Sequence, residues 1–278
     1  MAHCTTAEAE KILDKEFKVH NHGFVRLVDY MGSDSRIVQS ARVSYGAGTK
    51  TVREDAALID YLLRHDHTSP FEQVVLTFHI KMPIFVARQW IRHRTARVNE
   101  ISGRYSVMSD EFYVPENADV AKQSSDNKQG RSEEILEPEF IQSVVSSLQN
   151  GQKAAYADYS ALVEKGTARE LARVNLPLSL YTEMYWQIDL HNLFHFLRLR
   201  LDVHAQKEIR DYAAVLLEIS RAVAPAAVSS FENHMHTGVR FSGEEMEELR
   251  RRLDGKNGEL SGKKLERFNE KIASGKQL

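Results

Sequence analysis

Residues 74–94 read VVLTFHIKMPIFVARQWIRHR. Val74, Leu76, Phe78, Ile80 and Met82 alternate with Thr77, His79 and Lys81, and a period of two is that of a strand with one apolar face. Pro83 suits the first position of a helix, because it has no amide hydrogen to leave unbonded and its φ is already helical. The helix continues through IFVARQWIRH, which brings Arg92, His93 and Arg94 to its C-terminal end. A strand thus leads directly into a helix that stops in a crowd of positive charge.

Downstream, LPLSLYTEMYWQI, residues 176–188, alternates again, with Leu178, Leu180, Thr182, Met184, Trp186 and Ile188 on one face. A second strand is predicted. It runs into DLHNLFHFLRLRLDV, residues 189–203, where Leu190, Leu193, Phe194, Leu197 and Leu201 keep the spacing of a buried helical stripe. Helical patterns also occupy 53–66, about 137–165 and 204–224, so helices outnumber strands. Segment 115–138 is polar and turn-rich and reads as a surface excursion. Residues 1–21 read as an N-terminal extension, 22–242 as one main domain, and 243–278 as a charged, solvated tail without chemistry.

The 278 residues, 42% hydrophobic and 27% charged, describe an ordinary globular protein able to bury a full core. No apolar run is long enough for a membrane span, and the N-terminus lacks an apolar signal region, so a cytoplasmic location is expected. The single cysteine, Cys4, excludes an internal disulfide and every multi-cysteine zinc pattern, and its terminal place argues against a catalytic thiolate. A formal net charge of -2 gives no global support for binding a nucleic-acid polymer. Small anions fit better.

Positive charge is instead concentrated in RQWIRHRTARVNEISGR, residues 88–104, where Arg88, Arg92, Arg94, Arg97 and Arg104 surround Glu100. Arg88 and Arg92, one helical turn apart, repel by roughly 0.2–0.5 kcal/mol. An anion between such groups relieves that cost, and guanidinium forks match phosphate oxygens. The bland alternative is a solvated basic loop paired with acids elsewhere. Two other classes remain open on these residues: a nucleic-acid binding module using the 88–104 patch, and a metal-dependent nucleotide phosphohydrolase built on His191 and His195, with His65 and His67 added. The i, i+4 histidine spacing is weak, because catalytic zinc needs a third ligand in defined geometry. Ser102 lacks the G-x-S-x-G surroundings of a nucleophile. YGAGTKT, residues 45–51, satisfies no phosphate-loop pattern, and no dinucleotide fingerprint predicts a doubly wound fold.

The segment RHRTARVNEISGRY, residues 92–105, resembles the defining motif of the flavin-dependent thymidylate synthases, which is RHR, seven free positions, then Ser, any residue and Arg. Arg92, His93, Arg94, Ser102 and Arg104 match it. HTSPFEQVVLTFHIKMPIFVARQW, ARVNLPLSLYT and LHNLFHFLRLRLDVHAQKEIR resemble the same family, so the likeness covers roughly residues 22–225. It implies a mixed α+β fold with a central, largely antiparallel sheet flanked by long helices. It implies methylation of deoxyuridylate (dUMP) to thymidylate (dTMP), with 5,10-methylenetetrahydrofolate and NADPH as co-substrates and FAD as cofactor, in a homotetramer with shared active sites.

Residue by residue, the resemblance implies dUMP contacts at Gln89, Trp90, Ile91, Arg92, Glu100, Ile101, Ser102, Gly103, Arg104, Arg173 and Arg200. It implies FAD contacts at Ser69, Arg92, His93, Arg94, Glu100, Asp189, Leu190, His191 and His195. Many relatives carry Asn and Arg where this chain has Asp189 and His191. Arg200 is implied as the catalytic residue, stabilising negative charge on the uracil ring, and no metal is implied. At about 100° per residue, His191, His195, Arg198 and Asp202 line a ridge beside the apolar stripe of 189–203. Arg200 falls about 80° to the other side of the stripe, where a partly desolvated guanidinium needs an electron-rich partner.

Overall fold

A computed structural model describes residues 4–43, 52–125, 130–132, 134 and 136–274, without the side chains of 52–54 and 274. The YGAGTKT segment lies outside the described residues. In chain order the elements are α1 (Ala7–Glu10), β1 (Glu16–Val19), β2 (Gly23–Met31), α2 (Asp34–Arg42), α3 (Val52–Arg64), β3 (Val75–Pro83), α4 (Ile84–Trp90) and β4 (Arg97–Glu100). There follow α5 (Pro138–Glu164), α6 (Arg169–Ala172), β5 (Tyr181–Asp189), α7 (Leu190–Arg200), α8 (Lys207–Val223), α9 (Pro225–Phe231), α10 (Gly243–Leu253) and α11 (Gly262–Ser274). The five strands form one sheet in the order β1-β2-β3-β5-β4. Every pairing is antiparallel.

The two strands expected from alternation are the central pair, in register from Val75↔Asp189 to Pro83↔Tyr181. Val74, Leu76, Phe78, Ile80 and Met82 are all fully buried, as their alternation predicts. Across from them Met184, Trp186 and Ile188 fill the same side. The second strand begins later than expected, at Tyr181. Pro177 has no amide hydrogen for a ladder, and the carbonyls of Leu178 and Leu180 accept instead from Phe85 and Ile84 at the start of α4. Leu178 is consequently half exposed.

Beneath the sheet, α4 and α7 bring Trp90 and Phe196 against Trp186, with Trp90 and Trp186 edge to face at 5.1 Å, and α8 brings Tyr212 against Trp90. Leu190, Leu193, Phe194 and Leu197 form the predicted stripe, and Phe196 widens it. Pro83 closes β3 and caps α4 rather than entering it. Helix α7 stops at Arg200, so Asp202 of the predicted ridge lies beyond the helix.

Two segments depart from the sequence reading. Residues 16–19, inside the supposed extension, are the edge strand β1. The charged tail folds into α10 and α11, with Phe268, Glu245 and Glu248 buried. Its interior is ionic: Lys271 Nζ donates to both Glu245 oxygens at 2.9 and 2.8 Å, and Glu248 accepts from the amides of Glu259 and Leu260 at 2.7 and 3.1 Å. Hydropathy counts such acids as solvated, although paired and hydrogen-bonded carboxylates can be buried. Cys4 is not frayed but half-buried, its Sγ at 2.9 Å from Ser33 Oγ and 3.0 Å from Ser35 Oγ.

Candidate active site

Where α4 ends, the chain turns across the side of α7 and opens a cleft of about 320 Å³. Arg92, His93, Arg94, Thr95, Ile188, Asn192, His195, Leu199 and Arg200 line it. Arg92 and Arg94, with Ile91, also border a second recess of about 400 Å³. The fan of side chains at the helix end is as predicted.

His93 is the most perturbed group there. Burial, the Arg200 charge and then His195 lower its pKa from 6.5 to about 4. Its neutral ring accepts at Nε2 from Arg200 Nε, 3.1 Å away, so Nδ1 carries the proton. Arg200 Nη2 also donates to the carbonyl of Gln89 at 3.2 Å. The electron-rich partner expected for this half-buried guanidinium is therefore a neutral imidazole and a carbonyl, not a carboxylate. Among the described residues no acid lies within ion-pair distance of Arg92, Arg94, Arg97, Arg173 or Arg200, whereas Arg104 pairs with Glu170 at 3.0 Å. That charge is available to a ligand.

The residues expected to hold dUMP fall into two groups. Gln89, Ile91, Arg92 and Arg200 gather at the cleft, with the Gln89 side chain donating to Gln206 Oε1 at 2.6 Å. Glu100, Ile101, Ser102, Gly103, Arg104 and Arg173 gather at the other end of β4. Glu100 accepts from Thr182 Oγ1 at 2.6 Å, and Ile101 donates to the Glu183 carbonyl at 2.9 Å. The Ser102 carbonyl closes a tight turn by accepting from Tyr105 and Ser106. Arg173 lies over Gly103, whose absent Cβ would come within 3.1 Å of Arg173 Cδ. At about 3.3 Å per residue, β4 separates this loop from the cleft by roughly 10 Å. In one chain the two groups lie at opposite ends of β4.

Of the residues expected to hold FAD, Asp189, Leu190, His191 and His195 lie at the start of α7 and along it, while Arg92, His93 and Arg94 follow α4 and Glu100 ends β4. Ser69 is exposed in the turn before Phe71, which meets Phe194 of α7 at 6.3 Å between ring centres. Asp189 caps α7: Oδ1 accepts from the Asn192 amide at 2.9 Å and Oδ2 from its side chain at 2.8 Å. His191 follows, and His195 faces His93 at 5.8 Å. Two of the side chains named for these sites lie in the core. Trp90 and Leu190 are fully buried, so their side chains belong to the core and only their backbones can face a ligand. His65 and His67 pack with Tyr61, and among the described residues no group of three His, Cys, Asp or Glu is placed to hold a metal ion.

A family model described as thymidylate synthase complementing protein matches residues 26–226, and one for the ThyX C-terminal domain of thymidylate synthase matches 239–278. The chain belongs to the flavin-dependent thymidylate synthases. It is 68% identical over 266 residues to the flavin-dependent thymidylate synthase of Treponema denticola, a match covering 96% of this chain and 100% of that one. To the flavin-dependent thymidylate synthase of Treponema pallidum it is 62% identical over 277 residues, 100% of this chain and 91% of the other. Among solved structures it resembles the UMP/dUMP methylase PolB of Streptomyces cacaoi bound with 5-Br UMP, with TM-score 0.71 and 31% identity over 79% of this chain and 97% of that one.

In this flavin-dependent thymidylate synthase fold the sequence reading missed Thr95, Ile188, Asn192 and Leu199 of the cleft. Asn192 carried a readable signal, because Asp189 stands three residues before it where a helix N-cap is expected. Leu199 carried none, since an exposed leucine on a helix flank reads as incidental.

Proposed function

We propose that the chain converts dUMP to dTMP by reductive methylation, taking the one-carbon unit from 5,10-methylenetetrahydrofolate and reducing equivalents from NADPH through FAD. The observation that carries this is the set of acid-free guanidinium groups, Arg92, Arg94 and Arg200, around the neutral His93. In a globular chain such charge is normally paired, so its persistence at a cleft supports anionic ligands.

The residues present fit a flavin nucleotide. Arg92 and Arg94 offer phosphate forks, while His93, His195, Ile188, Asn192 and Leu199 offer a mixed wall for a planar ring with polar edges. Ser69, Glu100, Asp189, Leu190 and His191 would complete its site, Leu190 through its backbone and Asp189 through a carboxylate already held by Asn192. When bound, the flavin supplies the redox chemistry.

The chain supplies position and charge. Arg200, aimed by His93 and the Gln89 carbonyl, stabilises negative charge on the uracil ring as that ring becomes nucleophilic. Ser102, Gly103, Arg104 and Arg173 hold the nucleotide from the loop after β4. No protein nucleophile is assigned: Cys4 rests against Ser33 and Ser35, which do not line the cleft. The separation of this loop from the cleft supports a homotetramer in which one copy's loop completes another copy's cleft. The catalytic unit then includes β1 and runs from about residue 16 to 242, with 243–278 as an appended helical pair, in a cytoplasmic enzyme. Among the described residues no helix is long and apolar enough to cross a membrane.

The test is dTMP formation by the purified protein with FAD, dUMP, methylenetetrahydrofolate and NADPH, omitting one component at a time. Loss of product with each omission, and bleaching of the yellow protein by NADPH, support the reading. Product formed without flavin, or none with the complete mixture, overturns it.

A further inference from the structure

A second hollow of about 470 Å³ is walled by Arg198, Leu199, Arg200, Asp202, His204 and Arg240 among others. It shares Leu199 and Arg200 with the cleft.

The charge of this hollow is unbalanced. Among the described residues no carboxylate lies within ion-pair distance of Arg198, Arg200 or Arg240. Asp202, the acid in the wall, is already engaged, accepting from the His204 amide and from its Nδ1, both at 2.8 Å. Arg198 and Arg200 come from the last turn of α7, while Arg240 comes from the segment between α9 and α10. Two separate parts of the chain converge to set three guanidinium groups around one space. Bidentate pairing with carboxylate or phosphate is what such groups do best.

We propose that this hollow receives the glutamate carboxylates of the folate co-substrate. This rests on the functional reading above. Phosphates of a dinucleotide share the anionic chemistry, but they sit between two rings, and the second ring would need an apolar bed. The wall offers only Leu199 and Ala205 for that. A glutamate tail ends in charge and can run out into solvent.

Arg198→Gln and Arg240→Gln, each made in the full-length flavin-loaded protein, test the proposal, because both residues lie on the surface side of the hollow and neither supports the core. The probes are methylenetetrahydrofolate with one and with three glutamates. Losing one charge-assisted contact should raise KM for the triglutamate about tenfold in either variant, with a smaller rise for the monoglutamate and the effect on KM rather than kcat. Added salt should shrink the difference between wild type and variant. A rise confined to the KM for NADPH overturns the folate assignment in favour of the dinucleotide. Unchanged KM values for both co-substrates in both variants overturn the hollow as a binding site. A wild-type protein that makes no dTMP instead removes the functional reading, so the two failures are distinct.

Discussion

Arg200 donates from Nε to Nε2 of His93 across 3.1 Å, joining residues 107 apart in the chain. The contact requires a neutral imidazole, since a protonated one has no lone pair to offer. Burial with Arg200 and His195 nearby provides that, holding the His93 pKa at about 4 rather than 6.5.

The first prediction follows from the direction of that shift. The folded value lies below the unfolded one, so the unfolded chain takes up the proton first as pH falls. The contribution to stability is complete above about pH 6.5 and is lost as pH falls towards 4. NMR titration of the His93 ring should give a midpoint near 4 that rises in Arg200→Ala. A wild-type midpoint at the ordinary histidine value would remove the neutral acceptor.

Arg200→Ala should lower kcat by about 10²–10³-fold, the usual cost of deleting one oriented transition-state donor, while the flavin absorbance is retained. Arg200→Lys should recover little, because a single ammonium cannot reproduce the fixed fork that reaches both His93 and the Gln89 carbonyl. Near-normal turnover of the alanine variant would exclude Arg200 from the mechanism.

Asp189 acts on the cleft through Asn192. Asp189→Ala removes the cap of α7 and should cost about 1 kcal/mol, seen as a fall of about 2–4 °C in melting temperature. It also frees the Asn192 side chain that lines the cleft, so flavin affinity should fall with it. Asp189→Asn keeps an acceptor for the Asn192 amide and should lose less of both. Equal losses in the two variants would show that the cap is not what matters at this position.

Gly103→Ala separates binding from folding. The new Cβ would sit 3.0 Å from Met108 Sδ and 3.1 Å from Arg173 Cδ, and the Arg173 side chain is the one free to move. KM for dUMP should rise several-fold, about what loss of one well-placed ionic contact costs, with melting little changed. A large loss of stability without a change in KM would make Gly103 a packing residue only.

Glu245 sets the acid limit of the tail. Its contacts with Lys271 and the Ser242 amide hold its pKa at about 2, below the ordinary 4.5. The folded value is depressed, so the stabilisation is present above about pH 4.5 and disappears as pH falls towards 2. Hydrogen-exchange protection of α10 and α11 should drop across that window before the sheet loses protection, and Glu245→Gln should abolish the step. Protection independent of pH through this range would show that the ion pair contributes nothing.

Much of this was written in local order. Period two marked β3 and β5, the 3.6-residue stripe marked α7, and RHR with Ser102 and Arg104 marked the family. The other strands were not legible, each for a physical reason. Strand β2 contains an irregularity between Leu27 and Asp29 that breaks its alternation. Strand β4 is exposed at every residue, so pairing with β5 alone defines it. The tail reads as solvated because most of its buried side chains are acids, Glu245 with its partner Lys271 and Glu248, with Phe268 as the apolar exception.

By itself the sequence determined which residue types could serve as site and which faces would be buried, since periodicity and side-chain chemistry are properties of neighbours along the chain. Only the tertiary structure decided that His93 is the group facing Arg200, that Trp90 turns inward, and that the Ser102 loop stands apart from the cleft. Those outcomes depend on how β3, β5 and α7 stack, and on desolvation at the cleft, which are set by contacts between distant segments and leave no mark on local spacing.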